Sequence, residues 1–152
     1  MTDAASQFPA QRGEYQVDVD KRRLQLDVIH RYLTESYWAA GIPREVVERS
    51  IAHSDCFGLY RGDEQVGFAR IVTDRATFGY LADVFVLAEH RGSGLGIWLM
   101  ELVMGYKEYR GFRRWLLATR DAHGLYSRFG FTRADASRLM EILRSDIYSK
   151  AL

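Results

Sequence analysis

The chain has 152 residues, 47% of them hydrophobic, with 21 Lys and Arg against 20 Asp and Glu and a net charge of +1. That suffices for one domain with a sizeable core and not for two, and near-neutral charge gives no electrostatic reason to expect nucleic acid as a partner. The single Cys56 cannot form an internal disulfide, no Cys/His cluster has metal-ligand spacing, and no apolar run approaches the roughly 18 residues of a membrane span. With a polar N-terminus that lacks a signal-peptide core, the expectation is a cytoplasmic protein without metal, membrane or nucleic-acid partners.

Residues 1–13 show no periodicity and read as a flexible terminus, with the folded domain over 14–152. Glu14–Val19 alternates as a half-buried strand, and Leu26, Ile29, Leu33 and Tyr37 place an amphipathic helix over Leu24–Trp38, ended by Gly41. Pro43 sits where a helix start tolerates it, ahead of Val46, Val47, Ser50 and Ile51. Cys56–Tyr60 and Gln65–Val72 flank the turn Arg61–Glu64 as an antiparallel hairpin, and Thr77–Leu87 extends it to a meander. After the glycine-rich 91–96 come a helix through Ile97–Tyr106, a buried strand at Trp115–Ala118 and a short helix over Asp121–Phe129. The stretch Arg138–Tyr148 is expected to finish the sheet or contribute to a homodimer. The order is that of one layered α+β domain.

Arg91-Gly92-Ser93-Gly94-Leu95-Gly96 joins a strand to a helix start. First-turn N–H groups lack intrahelical partners and carry the positive end of the helix dipole, so glycines there let a phosphate approach several of them at once. The spacing matches neither a Walker loop nor a dinucleotide fingerprint. Glycine clusters also serve turn geometry alone, and the loop by itself leaves both readings open.

The strand Asp83–Leu87, the loop from Arg91 to Gly96 and the segment Leu125-Tyr126-Ser127-Arg128-Phe129-Gly130-Phe131 occur in that order. Together they resemble the GNAT superfamily of acyl-CoA-dependent N-acyltransferases. Arg91, Gly94 and Gly96 match its Arg/Gln-x-x-Gly-x-Gly/Ala motif, and Leu125-Tyr126 with Phe129-Gly130-Phe131 is similar to its Leu-Tyr-x-x-x-Gly-Phe segment. The resemblance spans roughly Glu14 to Tyr148 and implies a mixed, mainly antiparallel sheet flanked by helices.

It also implies an acetyl-CoA-dependent N-acetyltransferase acting on a primary amine of a small molecule or protein by direct attack in a ternary complex. The backbone of Arg91, Gly92, Ser93, Gly94, Leu95 and Gly96 would cradle the CoA pyrophosphate, and Val84, Phe85 and Val86 would pair with the pantetheine arm. A backbone N–H near Val86 would polarise the thioester carbonyl. Tyr126 would protonate the leaving thiolate. Thr119 stands where many members carry an Asn that helps hold the pantetheine arm, and its shorter side chain departs from that pattern. Asp83, mid-run in an apolar strand, is the expected base, with substrate anchoring and a structural role as alternatives. Tyr37 and Trp38 would wall the acceptor site or pack in the core, and Trp98 and Trp115 are core residues. His123 could orient substrate or be an exposed helix histidine, and Glu35 and Arg70 could reach the cleft or form surface ion pairs. Cys56 reads as a buried thiol. A non-catalytic CoA-binding module and a mononucleotide-phosphate binder are the competing readings.

Overall fold

The alternating pattern around Arg61–Glu64 produces the centre of the molecule. In the computed structural model, which describes residues 7–149, β3 (Asp55–Arg61) and β4 (Glu64–Thr73) pair antiparallel around a two-residue turn at Gly62-Asp63. Gly62 takes φ +60° there, in the left-handed region that glycine adopts without steric cost. The Asp74 carboxylate shapes the next turn by accepting from the backbone N–H groups of Ala76, Thr77 and Phe78 and from the Thr77 hydroxyl. These hydrogen bonds hold it far below the usual carboxylate pKa range. β5 (Phe78–Val86) then returns antiparallel to β4.

With β1 (Ala10–Arg12), β2 (Tyr15–Asp18) and β6 (Arg114–Leu117), the sheet has six strands in the order β1-β2-β3-β4-β5-β6. The first five pair antiparallel, and β6 runs parallel to β5. Helices cover both faces, which is the expected mixed α+β arrangement. On one face α3 (Leu95–Met104) packs Leu99, Met100 and Val103 against Val17, Phe57, Leu59 and Ile71. α3 is apolar nearly all round because sheet and flanking aromatics enclose it. On the other face α1 (Leu26–Glu35) and α2 (Arg44–Ala52) pack Ile29, Leu33 and Val47 against Cys56, Phe68 and Phe85. Trp98 and Trp115 lie in and against the first cluster, as their composition suggested, and Cys56 is buried, which pushes its thiol up to about 12.

Three sequence expectations need correction. Ala10–Arg12 is a strand paired with Tyr15–Val17, and Phe8 packs edge-on against Phe57 and Tyr106, so order begins ahead of Glu14; residues 1–6 lie outside the described residues. α1 stops at Glu35 rather than Trp38. The Ser36 hydroxyl donates to the Leu33 carbonyl (2.6 Å) and accepts from the Ala39 N–H (3.1 Å), a local arrangement that displaces the helical ladder. The stretch 138–148 contributes no strand. It runs without regular structure into a turn in which the Ile147 N–H donates to the Arg144 carbonyl (3.2 Å), with Met140 and Ile142 exposed and Tyr148 packed against the α1 cluster.

Gly67 lies where strands approach most closely, and a Cβ there would come within 2.9 Å of the Phe85 carbonyl oxygen and 2.8 Å of Leu59. Gly67→Ala is expected to lower unfolding stability by about 1–3 kcal/mol. A denaturant midpoint equal to that of the wild type would show that the β4–β5 spacing is looser than drawn.

Candidate active site

A regular strand keeps residues of one parity on one face, yet in β5 Leu81 packs with the α3 cluster and Phe85 with the α1 cluster. The register explains it. Phe68 pairs with Phe85 and Arg70 with Ala82, so the single residue Ala69 faces both Asp83 and Val84, and this bulge inverts the alternation. Asp83 sits at φ +54°, a conformation that Asp tolerates better than most residues but that still needs support. Two groups supply it. Arg70 Nε donates to Asp83 Oδ2 and Trp38 Nε1 to Oδ1, both at 2.8 Å, while Arg70 also donates to the Ser54 hydroxyl (3.0 Å).

β6 pairs with β5 only over Phe78–Leu81. That pairing stops ahead of the bulge, where β6 itself ends at Leu117, leaving Ala82–Val86 without a partner strand on that side. A cleft of about 1300 Å³ opens along β6, lined among others by Leu117, Thr119, His123 and Tyr126. An aromatic wall stands on the α1 side: Tyr32 stacks on Phe85 (4.0 Å between ring centres), Trp38 lies beside Tyr32, and Tyr37 meets Trp38 edge-on. Tyr37 and Trp38 are nearly half exposed, in the α1–α2 loop rather than in a helix or the core.

At the end of β5 the chain turns into the glycine loop. Gly92 and Gly94 have φ of +92° and +80°, and Gly94 caps α3, with Trp98 the first residue to donate back to it (3.0 Å). Gly96 is different. Its φ is outside the left-handed region, and a Cβ there would touch nothing in the protein, so neither backbone strain nor internal packing requires glycine. The space it leaves belongs to a hollow of about 300 Å³ formed with Val86, His90, Arg91, Gly92, Gly94, Leu95, Ile97 and Leu125.

A family model described as an acetyltransferase (GNAT) domain matches residues 52–133, more than half of the chain. A Gibberella zeae protein named as an acetyltransferase is 34% identical over 77% of this chain and 78% of its own length. The chain belongs to the GNAT acetyltransferase family. A GNAT-family structure from Xanthomonas campestris superposes with a TM-score of 0.88 at 46% identity, covering 91% of this chain and 99% of that one. A Clostridium acetobutylicum structure solved with acetyl-CoA shares the fold, with a TM-score of 0.60 at 15% identity over 85% of this chain and 94% of its own.

Against this GNAT frame the expected residues fall into two groups. Val84, Phe85 and Val86 lie on the end of β5 that β6 does not reach, and Arg91 through Gly96 form the loop beneath it. The Arg91 side chain turns inward, donating through Nε to the Val86 carbonyl (2.8 Å) and through Nη2 to the Tyr32 hydroxyl (2.9 Å). Thr119 uses its hydroxyl locally, accepting from the Ala122 N–H (3.0 Å) at the entry to α4 (His123–Ser127). Tyr126 lies in α4 on the cleft wall, with Phe131 edge-on to its ring. Burial, and then the charges of Tyr37 and Asp121, push its phenol up to about 12. His123 is exposed at the cleft.

Asp83 does not have the surroundings of a general base. Each of its oxygens accepts a short hydrogen bond from its own chain, one from an indole and one from a guanidinium, so neither is left facing a substrate. Its donors are two side chains rather than the backbone N–H groups that a structural role would have suggested. A surface ion pair was one expectation for Arg70, whereas the two side chains are only 18% and 10% exposed. The missed signal was register: folding the chain about the Asp74–Thr77 turn brings Arg70 opposite Ala82, next to Asp83.

Removing one member of a buried ion pair leaves the other uncompensated. Arg70→Met is therefore expected to lower stability by about 3 kcal/mol, measured by chemical denaturation. Asp83→Asn keeps the packing but only one of the two acceptors, and leaves Arg70 without its carboxylate, so it too is expected to lose stability; assayed where it is folded, any acidic limb in the wild-type pH–rate profile is expected to persist in it. Disappearance of that limb would restore Asp83 as the base.

Proposed function

We propose that the chain transfers the acetyl group of acetyl-CoA to a primary amine, with both bound together and no covalent enzyme intermediate. The observation that carries this is Gly96, a glycine in the first turn of α3 that nothing inside the protein requires and whose open side faces the loop hollow. A ligand's approach to the backbone is the remaining physical reason for it. The first-turn N–H groups of α3 and the backbone of the 91–96 loop would hold the pyrophosphate, and the strand edge past Ala82 would take the pantetheine arm. The Clostridium acetobutylicum relative, solved with acetyl-CoA, supports the choice of ligand.

Acetyl-CoA would supply an acetyl group already activated as a thioester. The protein's part is placement and proton handling. The open edge of β5 would align amine and carbonyl, raising the effective concentration of one for the other. The new C–N bond forms as the C–S bond breaks, the amine gives up a proton, and the departing sulfur takes one. Tyr126 is suited to the second transfer, since a phenol raised to about 12 keeps its proton throughout the neutral range and loses it only as the pH climbs toward that value. Asp83 would act as a positioning residue that fixes the bulge.

Tyr126→Phe is expected to lower kcat by about 100-fold with acetyl-CoA affinity unchanged, and wild-type activity should show no alkaline decline from this group below about pH 10. Equal turnover in the two proteins, with chemistry rate-limiting, would remove the acid role. Gly96→Val should fold as the wild type does but bind CoA at least about tenfold more weakly by calorimetry. Unchanged affinity would remove the loop from the cofactor site.

A further inference from the structure

Each of the three exposed or partly exposed aromatics on the acceptor side is tied to a different arginine. Tyr32 accepts from Arg91, whose remaining contact is the Val86 carbonyl. Trp38 shares the Asp83 carboxylate with Arg70, which also reaches Ser54. Tyr37 accepts the backbone N–H of Arg120 at 3.0 Å, and the Arg120 guanidinium lies over the same ring, 3.9 Å from its centre. The first two guanidiniums donate to oxygen atoms of the protein. Among the described residues, that of Arg120 donates to none and pairs with no carboxylate.

Stacking covers a flat face of a guanidinium and leaves its in-plane donors untouched. Arg120 is thus held at two points, by its backbone and by the ring, with its fork of N–H donors exposed. A carboxylate has the matching geometry, two coplanar oxygens accepting two parallel N–H bonds. The apolar surfaces beside it are Tyr37 and Trp38, each more than 40% exposed. Asp121, next in the chain, lies near enough to Tyr126 for its charge to bear on the phenol. The same phenol also feels Tyr37, so Arg120, the Tyr37 ring and Tyr126 border one region.

Resting on the acetyl-transfer reading above, we propose that the acceptor is an amino acid with an aromatic or bulky apolar side chain, its carboxylate held by Arg120 and its body against Tyr37 and Trp38. Arg120 is then a specificity-determining residue, outside the cofactor site.

The test uses the products, so that it decides without turnover. The CoA-saturated protein is titrated by calorimetry with N-acetylphenylalanine and with N-acetylphenylalaninamide, which differ only at the carboxylate. The acid is expected to bind at least about tenfold more tightly to the wild type, and Arg120→Gln to abolish that difference while leaving CoA affinity unchanged. Equal binding of the two compounds, binding of neither, or a preference that survives in Arg120→Gln would overturn the inference. Initial rates with phenylalanine and 2-phenylethylamine separate it from the parent reading. Transfer to the second alone refutes the carboxylate site and keeps the acetyltransferase, whereas carboxylate-dependent binding with no transfer to any amine refutes the acetyltransferase and keeps the site.

Discussion

The ion pair between Arg70 and Asp83 is the constraint from which the cleft follows. A residue in left-handed backbone in the middle of a strand is held only if its surroundings over-determine it, and here a guanidinium and an indole fix both carboxylate oxygens. The bulge they stabilise turns the end of β5 so that Phe85 faces α1, and β6 keeps register only as far as Leu81. Without that inversion, β5 would present one apolar face throughout and β6 could follow it to its end. The same carboxylate anchors Trp38, so the aromatic wall and the strand opening are set by one group.

The helix that follows the glycine loop shows how core packing and ligand chemistry share one element. α3 buries Leu95, Leu99, Met100 and Val103, and its position is dictated by the sheet beneath it. Its N-terminus is consequently fixed too, with the left-handed Gly94 bringing the chain in at a sharp angle. A dipole end held this rigidly is preorganised for an anion and need not reorganise when one arrives. Gly96 then reads as a residue chosen for what lies outside the protein, in contrast to Gly67, which is required by what lies inside it.

Much of the fold was legible because it is local. The hairpin at Gly62, the helix at Leu95 and the strand at Trp115 follow from periodicity and turn residues, and element edges shifted by only a few positions. The family was legible in the glycine loop and the segment around Tyr126, because both are motifs of short spacing along the chain. What escaped was set by distant partners or by competing side chains. The Ser36 hydroxyl ends α1 two residues before the apolar spacing does. Phe8 orders a stretch of polar composition by docking on Phe57. Asp83 carried a correct signal, a charge where charge is costly, but its meaning depended on Arg70, 13 residues away across a turn.

The commitment of Asp83 also bears on where the amine's proton would go in the proposed reaction. An alkylammonium with a pKa near about 10.4 must shed a proton before it attacks, and a carboxylate locked between a guanidinium and an indole is a poor recipient. His123 lies exposed at the cleft along β6, so in the proposed reaction the amine would lose its proton to water there. A base buried at Asp83 would have put both transfers on the protein's interior, where ionisation is most costly. In the proposed reaction the buried carboxylate would serve for shape, and proton loss would go to solvent.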